Sequence, residues 1–502
     1  MGLPSRRTAA TWRSLPSAVV SGIAVGALAA GALGALAGLA DLTDGGTDAA
    51  PLLLTGIAAT LPGWLLYRGV RRPHRHQAGD ILTGVTAAFL AMVAVGALLY
   101  LATGAHGAFD DAVFESAAGF STTAMTLLDA EELGRGVLLF RAASQWVGGL
   151  GALLLGIAIL PALSVGRELA DRRRGMGRKP LAPSGGTAAR NVLGLYGSFT
   201  LLMLLGYLVA GVGGVGSLVL AVSTVSTGGF VGPGDPLADP AVQWVAIGGM
   251  VLAGASLVVI WRLLTRQWGG IRRAAEFRAY LLFLVSGSLL LAWWTDAAGW
   301  SEWRQAVFTL VSAATTTGFP NNPVGAWAAV APVFLLMAAA VGPMTGSTGG
   351  GFQIFRLLGL LKLAQRELMR QLHPSLVARI RIGGLVLSEA TVGRIVLQQF
   401  LFVAVLIGAT GAVAVLGLDL ATALAAGVHA AASAGPVRAL DGGVLDPADW
   451  SRPVRLALIP AMVVGRLALY PALLAAGTAA TAIRDRLRLR RRLVARRVER
   501  VG

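Results

Sequence analysis

The chain contains no cysteine, which excludes disulfides and thiolate metal sites. Histidine is nearly as scarce: the five residues, at 74, 76, 106, 373 and 429, are scattered without ligand spacing. Charge is sparse as well. Only 13% of the 502 residues are charged, against about a quarter in an average soluble domain. There is no HExxH, no GxSxG and no pair of carboxylates within an apolar run, so neither an enzyme nor an organic cofactor is expected. What the chain has instead is apolar sequence. It is 55% hydrophobic, its mean hydropathy is +0.69, and runs of about 20 apolar residues, each long enough to cross a bilayer as a helix, recur along its length. The class is a polytopic membrane protein whose principal partner is the lipid bilayer.

The net charge of +17 could suggest nucleic acid, but its placement argues for topology. Basic clusters occupy every other connection: Arg6, Arg7 and Arg13, then "YRGVRRPHRH", "RELADRRRGMGRK", "RQWGGIRRAAEFR", the stretch 355–381, and the tail 484–500. The remaining connections are acidic: "DLTDGGTD", "FDDAVFES" with "LDAEEL", "GPGDPLADP", "TDAAGWSE" and "LDGGVLDPADW". This is the positive-inside pattern. It places both termini in the cytoplasm, requires an even number of crossings, and leaves no role for nucleic acid. The first apolar run, 18–40, is too long for a signal peptide and reads as a retained helix.

Ten spans are expected, at 17–40, 51–69, 80–103, 136–161, 191–214, 241–265, 278–296, 326–363, 390–416 and 453–482. The first two form a hairpin within residues 1–78. The other eight fall into pairs that define units at 79–165, 190–268, 276–365 and 388–483, followed by a basic tail at 484–502. The links within these pairs share one design: an acidic approach, an apolar stretch too short to span, then a segment rich in Ser, Thr, Gly and Ala. Ten residues beyond an apolar anchor, Phe114 leads to Ala124, Val219 to Gly229, Phe308 to Gly318 and Ala425 to Gly435. In that register Thr122, Thr227, Thr316 and Ser433 coincide. The pattern predicts four repeats of helix, re-entrant loop and helix.

Non-helical backbone survives inside a membrane only where protein buries it or where it lines a water-filled path. Four such segments around one axis meet that condition if their carbonyls turn inward and replace the water shell of a dehydrated cation. Gly suits these positions because it reaches positive φ, and the short helices aim their negative C-terminal ends at the ion. A carbonyl ring without carboxylates fits a monovalent cation better than a divalent one. Small residues also mark plain helix packing, and a single such segment reads that way. Four in one register favour a pore. The candidate filter is Thr122, Thr123 and Ala124; Thr227, Gly228 and Gly229; Thr316, Thr317 and Gly318; and Ser433, Ala434 and Gly435.

Two further features belong to the path. "VGPMTGSTGGG" (341–351) interrupts the eighth apolar run, and Gly346, Gly349, Gly350 and Gly351 cannot sustain a helix there. With Ser347 and Thr348 it reads as a flexible gate loop below the filter, the plain alternative being a passive kink. Arg466 sits mid-way along the last apolar run, where its insertion cost of at least about 2.5–3.5 kcal/mol requires the bundle interior or water. It either pairs structurally with a carbonyl or carboxylate, or stands beside the path as part of the gate.

Specific stretches resemble the Trk/Ktr/HKT superfamily of potassium transporters, and most of all its bacterial Trk-type membrane subunits. They are "FESAAGFSTTAMT", "FRAASQWVGGLGALLLGIAILP", "STVSTGGF", "SAATTTGFP", "VGPMTGSTGGGFQIFRLL", "LHPSLVARIRIGGLVLSEATV" and "MVVGRLALYPALL", spread over residues 80–482. The resemblance implies an all-α membrane fold with four pore-loop repeats around a central ion path, after an N-terminal two-helix hairpin. It implies potassium uptake across the plasma membrane, with the ion at Ala124, Gly229, Gly318 and Gly435. It also implies a homodimer with one pore per subunit, regulated by a cytoplasmic nucleotide-binding ring protein of the TrkA type. The chain departs from the pattern at Ala124, where Trk members have Gly and where Ser in plant relatives accompanies sodium preference. A sodium-conducting or weakly selective transporter is therefore the alternative, with an assembly subunit that does not transport as a third reading. Gly119 could stand in for the missing glycine, but the ten-residue register argues against it. Arg438 lies just outside the fourth loop, where pairing with Asp441 would offset its charge, and Gln353 replaces the usual Lys after the Gly-rich segment.

Overall fold

A computed structural model describes residues 6–43, 45–70, 78–162, 185–295, 297, 299–320, 327–375, 378–436, 438–440, 442–467 and 477. Its first elements, α1 (Arg6–Leu42) and α2 (Ala49–Gly69), form the expected hairpin, and α1 also packs along α3 (Ala78–Ala102). Close approach depends on small residues: a side chain at Gly26 would run into the Ala88 carbonyl of α3.

The four repeats follow in order. The first is α3, the short α4 (Phe109–Ser121) and α5 (Arg135–Ala162). The second is α6 (Gly185–Val209), the short α7 (Gly214–Ser226) and α8 (Pro240–Ala253), which continues after a break as α9 (Leu257–Leu264). A single turn, α10 (Trp268–Arg272), leads to the third: α11 (Ala275–Trp294), the short α12 (Trp300–Ala314) and α13 (Val330–Val341), continued beyond a loop by α14 (Ile354–Leu372). The fourth is α15 (Glu389–Val415), the short α16 (Leu420–Ala432) and α17 (Arg452–Arg466). The short helices have 13, 13, 15 and 13 residues, about 20 Å at 1.5 Å per residue, too short to cross the hydrocarbon. Acidic residues start two of the later helices: Asp239 accepts from Ala241 N–H at 2.7 Å, and Asp419 accepts from Ala421 and Thr422 N–H, each at 3.0 Å. The Thr422 hydrogen bonds hold the Asp419 carboxyl below its ordinary range.

Among the described residues, seven helices are long and apolar enough to cross a membrane, or eight if α8 and α9 count as one span. That pair departs from the sequence expectation of a continuous span at 241–265, because it bends by 108°. Gly254 ends α8, and Ser256 starts a new helix by accepting from Val258 N–H at 3.3 Å. The last apolar run is described as far as Leu467 and again at residue 477. The connection between α14 and α15 contains a small hairpin that the sequence reading lacked. Strands β1 (Arg381–Ile382) and β2 (Leu385–Val386) pair antiparallel around Gly383 and Gly384, both at positive φ, the geometry that a two-residue Gly-Gly turn supplies.

Helix α5 packs against two of the short helices. Gly148 abuts the Phe120 carbonyl at the end of α4, and Gly149 abuts Ser226 at the end of α7. Gly151, on the same helix, faces open space. Gly148→Val is expected to destabilise the protein by about 1–3 kcal/mol through overpacking and Gly151→Val to change little, as read by thermal unfolding in detergent.

Candidate ion-binding site

Each short helix ends the same way. A left-handed residue follows in all four repeats, directly after the helix at Thr122 (φ 56), Thr227 (φ 54) and Ser433 (φ 50) and one residue later, beyond Thr315, at Thr316 (φ 59). These are the four residues that the ten-residue register aligns. The turn is a C-terminal cap of the Schellman kind. Thr123 N–H donates to Ala118 O at 3.0 Å, Gly228 to Ser223 at 2.8 Å and Ala434 to His429 at 3.0 Å. In the third repeat the bond runs from Gly318 to Ser312 at 3.0 Å. The caps consume N–H groups and leave carbonyls. Among the described residues, the carbonyls at 122–124, 227, 229, 316–318 and 433 accept no hydrogen bond.

Two residues further on, Ala124 (φ 48), Gly229 (φ 86) and Gly318 (φ 69) again take positive φ, whereas Gly435 does not. Gly119 lies inside α4, so the position belongs to Ala124, as the register requires. Ala124 holds a conformation that costs an L-residue about 1 kcal/mol or more. Three of the segments meet backbone to backbone. A methyl on Gly229 would strike the Thr317 carbonyl, one on Gly318 the backbone of Gly435, and one on Gly435 the Thr317 carbonyl. The candidate filter residues are buried apart from the half-buried Gly318. The hydroxyls of Thr122 and Ser433 are buried without a hydrogen-bond partner.

The first segment is tied in by side chains. Glu115, fully buried in α4, accepts from Thr126 Oγ1 and Leu127 N–H, both at 2.8 Å, and lies 3.3 Å from Arg141 Nε on α5. The Arg141 guanidinium covers the ring of Phe230, the residue after Gly229, at 3.9 Å. One turn along α5, Gln145 grips the second segment on both sides of Gly229. Its Nε2 donates to Gly228 O at 2.8 Å, and its Oε1 accepts from Phe230 N–H at 3.4 Å and Ser223 Oγ at 3.1 Å. Glu115, Arg141 and Gln145 had been assigned no role from sequence, although "FES" and "QWVGGLG" were conspicuous there. A polar residue at a helix position facing lipid-buried backbone is the signal that marks them.

Below the segments lies the loop between α13 and α14. Gly350 N–H donates to Thr316 Oγ1 at 3.1 Å, which ties the loop to the hydroxyl column. The break between α8 and α9 serves the same loop: Met344 N–H donates to Gly254 O and Leu257 N–H to Gly346 O, each at 3.1 Å. Thr348 Oγ1 donates to Ala253 O at 3.3 Å, and Thr345 N–H donates to Glu276 on α11 at 2.6 Å. A segment expected to be flexible is thus hydrogen-bonded to its surroundings along its length. Arg466, 5% exposed, donates from Nε to Gly148 O at 3.2 Å and from Nη1 to Thr348 O at 2.8 Å, while its Nη2 is buried without a partner. It therefore pairs with carbonyls, and it also lines a cavity of about 100 Å³ together with Gly346, Ser347, Gly349–Gly351 and Ser433. Arg438 forms a bridge with Val444, whereas Asp441 and the tail 484–502 lie outside the described residues.

Comparison with known proteins gives the frame for this geometry. Residues 297–480 match the TrkH family model, described as a cation transport protein. The Trk system potassium uptake protein TrkI of Halomonas elongata is 31% identical over 370 residues, covering 71% of this chain and 75% of that relative. The chain belongs to the TrkH family. The TrkH proteins of H. elongata and Escherichia coli K12 are 31% and 30% identical, over 79% and 72% of the chain and 86% and 77% of their own lengths. The crystal structure of the potassium transporter TrkH from Vibrio parahaemolyticus superposes with a TM-score of 0.78 at 25% identity, covering 90% of this chain and 97% of that one. The all-α membrane fold expected from the resemblance is the fold of this family.

Within the TrkH frame, Gln145 offers a direct check of how the second segment is held. Gln145→Leu leaves the Gly228 carbonyl and the Phe230 N–H without their partner, at a cost of about 1–3 kcal/mol. A lower thermal midpoint in detergent is expected, with Gln145→Glu intermediate because Oε1 alone is retained as an acceptor.

Proposed function

We propose that this chain takes up potassium across the plasma membrane through a filter of main-chain carbonyls, with both termini in the cytoplasm. The observation that carries this reading is the fourfold recurrence of one turn: left-handed residues at Thr122, Thr227, Thr316 and Ser433, whose own carbonyls accept no hydrogen bond. Carbonyl oxygens in that setting stand in for the water shell of an alkali ion. The names of the relatives, potassium uptake proteins, support potassium as the cargo. Ala124, Gly229, Gly318 and Gly435 would form the ring, with the Thr122 and Ser433 hydroxyls beneath it.

The loop containing Gly346, Ser347, Thr348, Gly349, Gly350 and Gly351 acts as a gate in this proposal, and Arg466 holds it closed. The guanidinium spans from α5 to the loop and adds a positive charge below the filter. The resemblance to Trk-type membrane subunits supports a homodimer with one path per subunit and a TrkA-like ring protein as cytoplasmic regulator.

Ala124 favours a second reading, a sodium-conducting or weakly selective transporter, because a residue with a Cβ at φ 48 occupies one wall of the ring. Rubidium uptake into liposomes by the purified protein, with potassium and sodium as competitors, tests both. Potassium is expected to compete better than sodium, and Ala124→Gly to widen the difference. No uptake of any alkali ion would overturn the assignment. In the same assay Arg466→Ala, which removes two charge-assisted hydrogen bonds, is expected to raise basal uptake about tenfold; unchanged flux at normal expression would count against the gate.

A further inference from the structure

Three of the four candidate filter segments surrender one carbonyl to a side chain in the surrounding wall. In the second it is Gly228, held by Gln145 Nε2 at 2.8 Å. In the third it is Phe319, which accepts from Ser312 Oγ at 3.2 Å. In the fourth it is Gly435, with His429 Nδ1 at 2.6 Å. Gly228 precedes the ring position of its segment and Phe319 follows it, whereas Gly435 is itself a ring position. The fourfold pattern is broken there and nowhere else in that column.

The cause is local. Pro436 follows Gly435, and a residue before proline is driven towards extended backbone. Gly435 accordingly lacks the positive φ of Ala124, Gly229 and Gly318. Its carbonyl then meets His429, which lies in the last turn of α16. A carbonyl can only accept, so His429 must carry its proton on Nδ1 and donate it, whether the ring is neutral or charged. His429 also lines a cavity of about 20 Å³ between α12, α13 and α16, shared with Ser312, Leu335, Leu336 and Arg438. That cavity lies behind the segment, in the helix wall. A carbonyl bonded to His429 is therefore directed into the wall.

We propose that His429 is a specificity-determining residue: together with Pro436 it withdraws the Gly435 carbonyl from the ring and leaves three main-chain oxygens at that level. This rests on the uptake function proposed above. Discrimination between alkali ions depends on the number and field strength of the coordinating carbonyls, so the three-carbonyl ring distinguishes potassium from sodium less well than a four-carbonyl ring. His429 acts through Gly435 and does not touch the ion.

The test is the ratio of sodium to potassium concentrations that halve rubidium uptake into liposomes. His429→Leu keeps an apolar fit beside Leu335 and Leu336 but cannot donate, and is expected to raise the ratio roughly two- to tenfold, the equivalent of one hydrogen bond. His429→Gln, which retains a donor, should remain near the wild type. Pro436→Ala, with His429 intact, frees Gly435 to take positive φ and should move the ratio the same way as His429→Leu; it decides the matter alone if His429→Leu does not yield folded protein. Wild-type uptake with an unmoved ratio in His429→Leu and Pro436→Ala overturns the role of His429 alone. A wild type without uptake overturns the proposed function, and this assignment with it.

Discussion

A peptide group inside a bilayer has no water to turn to, and the structure is organised around that constraint. Four short helices end within the membrane-embedded body, and each end must dispose of its last carbonyls and of the chain that leaves it. The same left-handed cap at Thr122, Thr227, Thr316 and Ser433 pairs the N–H groups back onto the helix. Carbonyl groups without hydrogen bonds remain, concentrated where the helix dipoles also place negative charge. Helix termination itself exposes the acceptors: satisfying the donors is what leaves the carbonyls.

That arrangement is held from outside by residues of quite different kinds. Helix α5 presents Gly148 and Gly149 to two helix ends, and Arg141 and Gln145 to the segments that follow them. Glu115 completes the connection by binding the chain after Ala124 and lying beside Arg141. A buried carboxylate and guanidinium would be costly apart; together they form a neutral ion pair, and the carboxylate also accepts from Thr126 and Leu127. The loop below is held by a similar division of labour. It takes backbone bonds from the break in α8 and α9, a carboxylate from α11, a hydroxyl from the third segment and a guanidinium from α17. Elements of the second, third and fourth repeats, and Gly148 of the first, therefore meet at one glycine-rich stretch.

Much of this was legible in the sequence. Apolar run lengths located the described long helices, and the Ser, Thr, Gly and Ala register located the left-handed residue that follows each short helix. It also selected Ala124 over Gly119, against the glycine preference. The bend at Gly254 was not legible, because the run 241–265 contains no proline and its break is stabilised by a loop about 90 residues away in sequence. The roles of Glu115, Gln145 and Glu276 were hidden for the same reason: each is a single polar residue whose partners lie on other elements. His429 counted as one of five scattered histidines until Gly435 was found beside it.

The sequence by itself determined the membrane class, the repeat and the positions where the backbone turns left-handed, because run length, charge placement and residue size act locally or at a fixed register. Only the tertiary structure decided which carbonyls stay free of hydrogen bonds and which are bonded to side chains of the wall. That choice depends on side chains from other helices, such as Gln145, and on whether a turn such as Gly435–Pro436 lies within their reach. Hydrogen bonds need atoms about 3 Å apart, and no spacing along the chain records that distance.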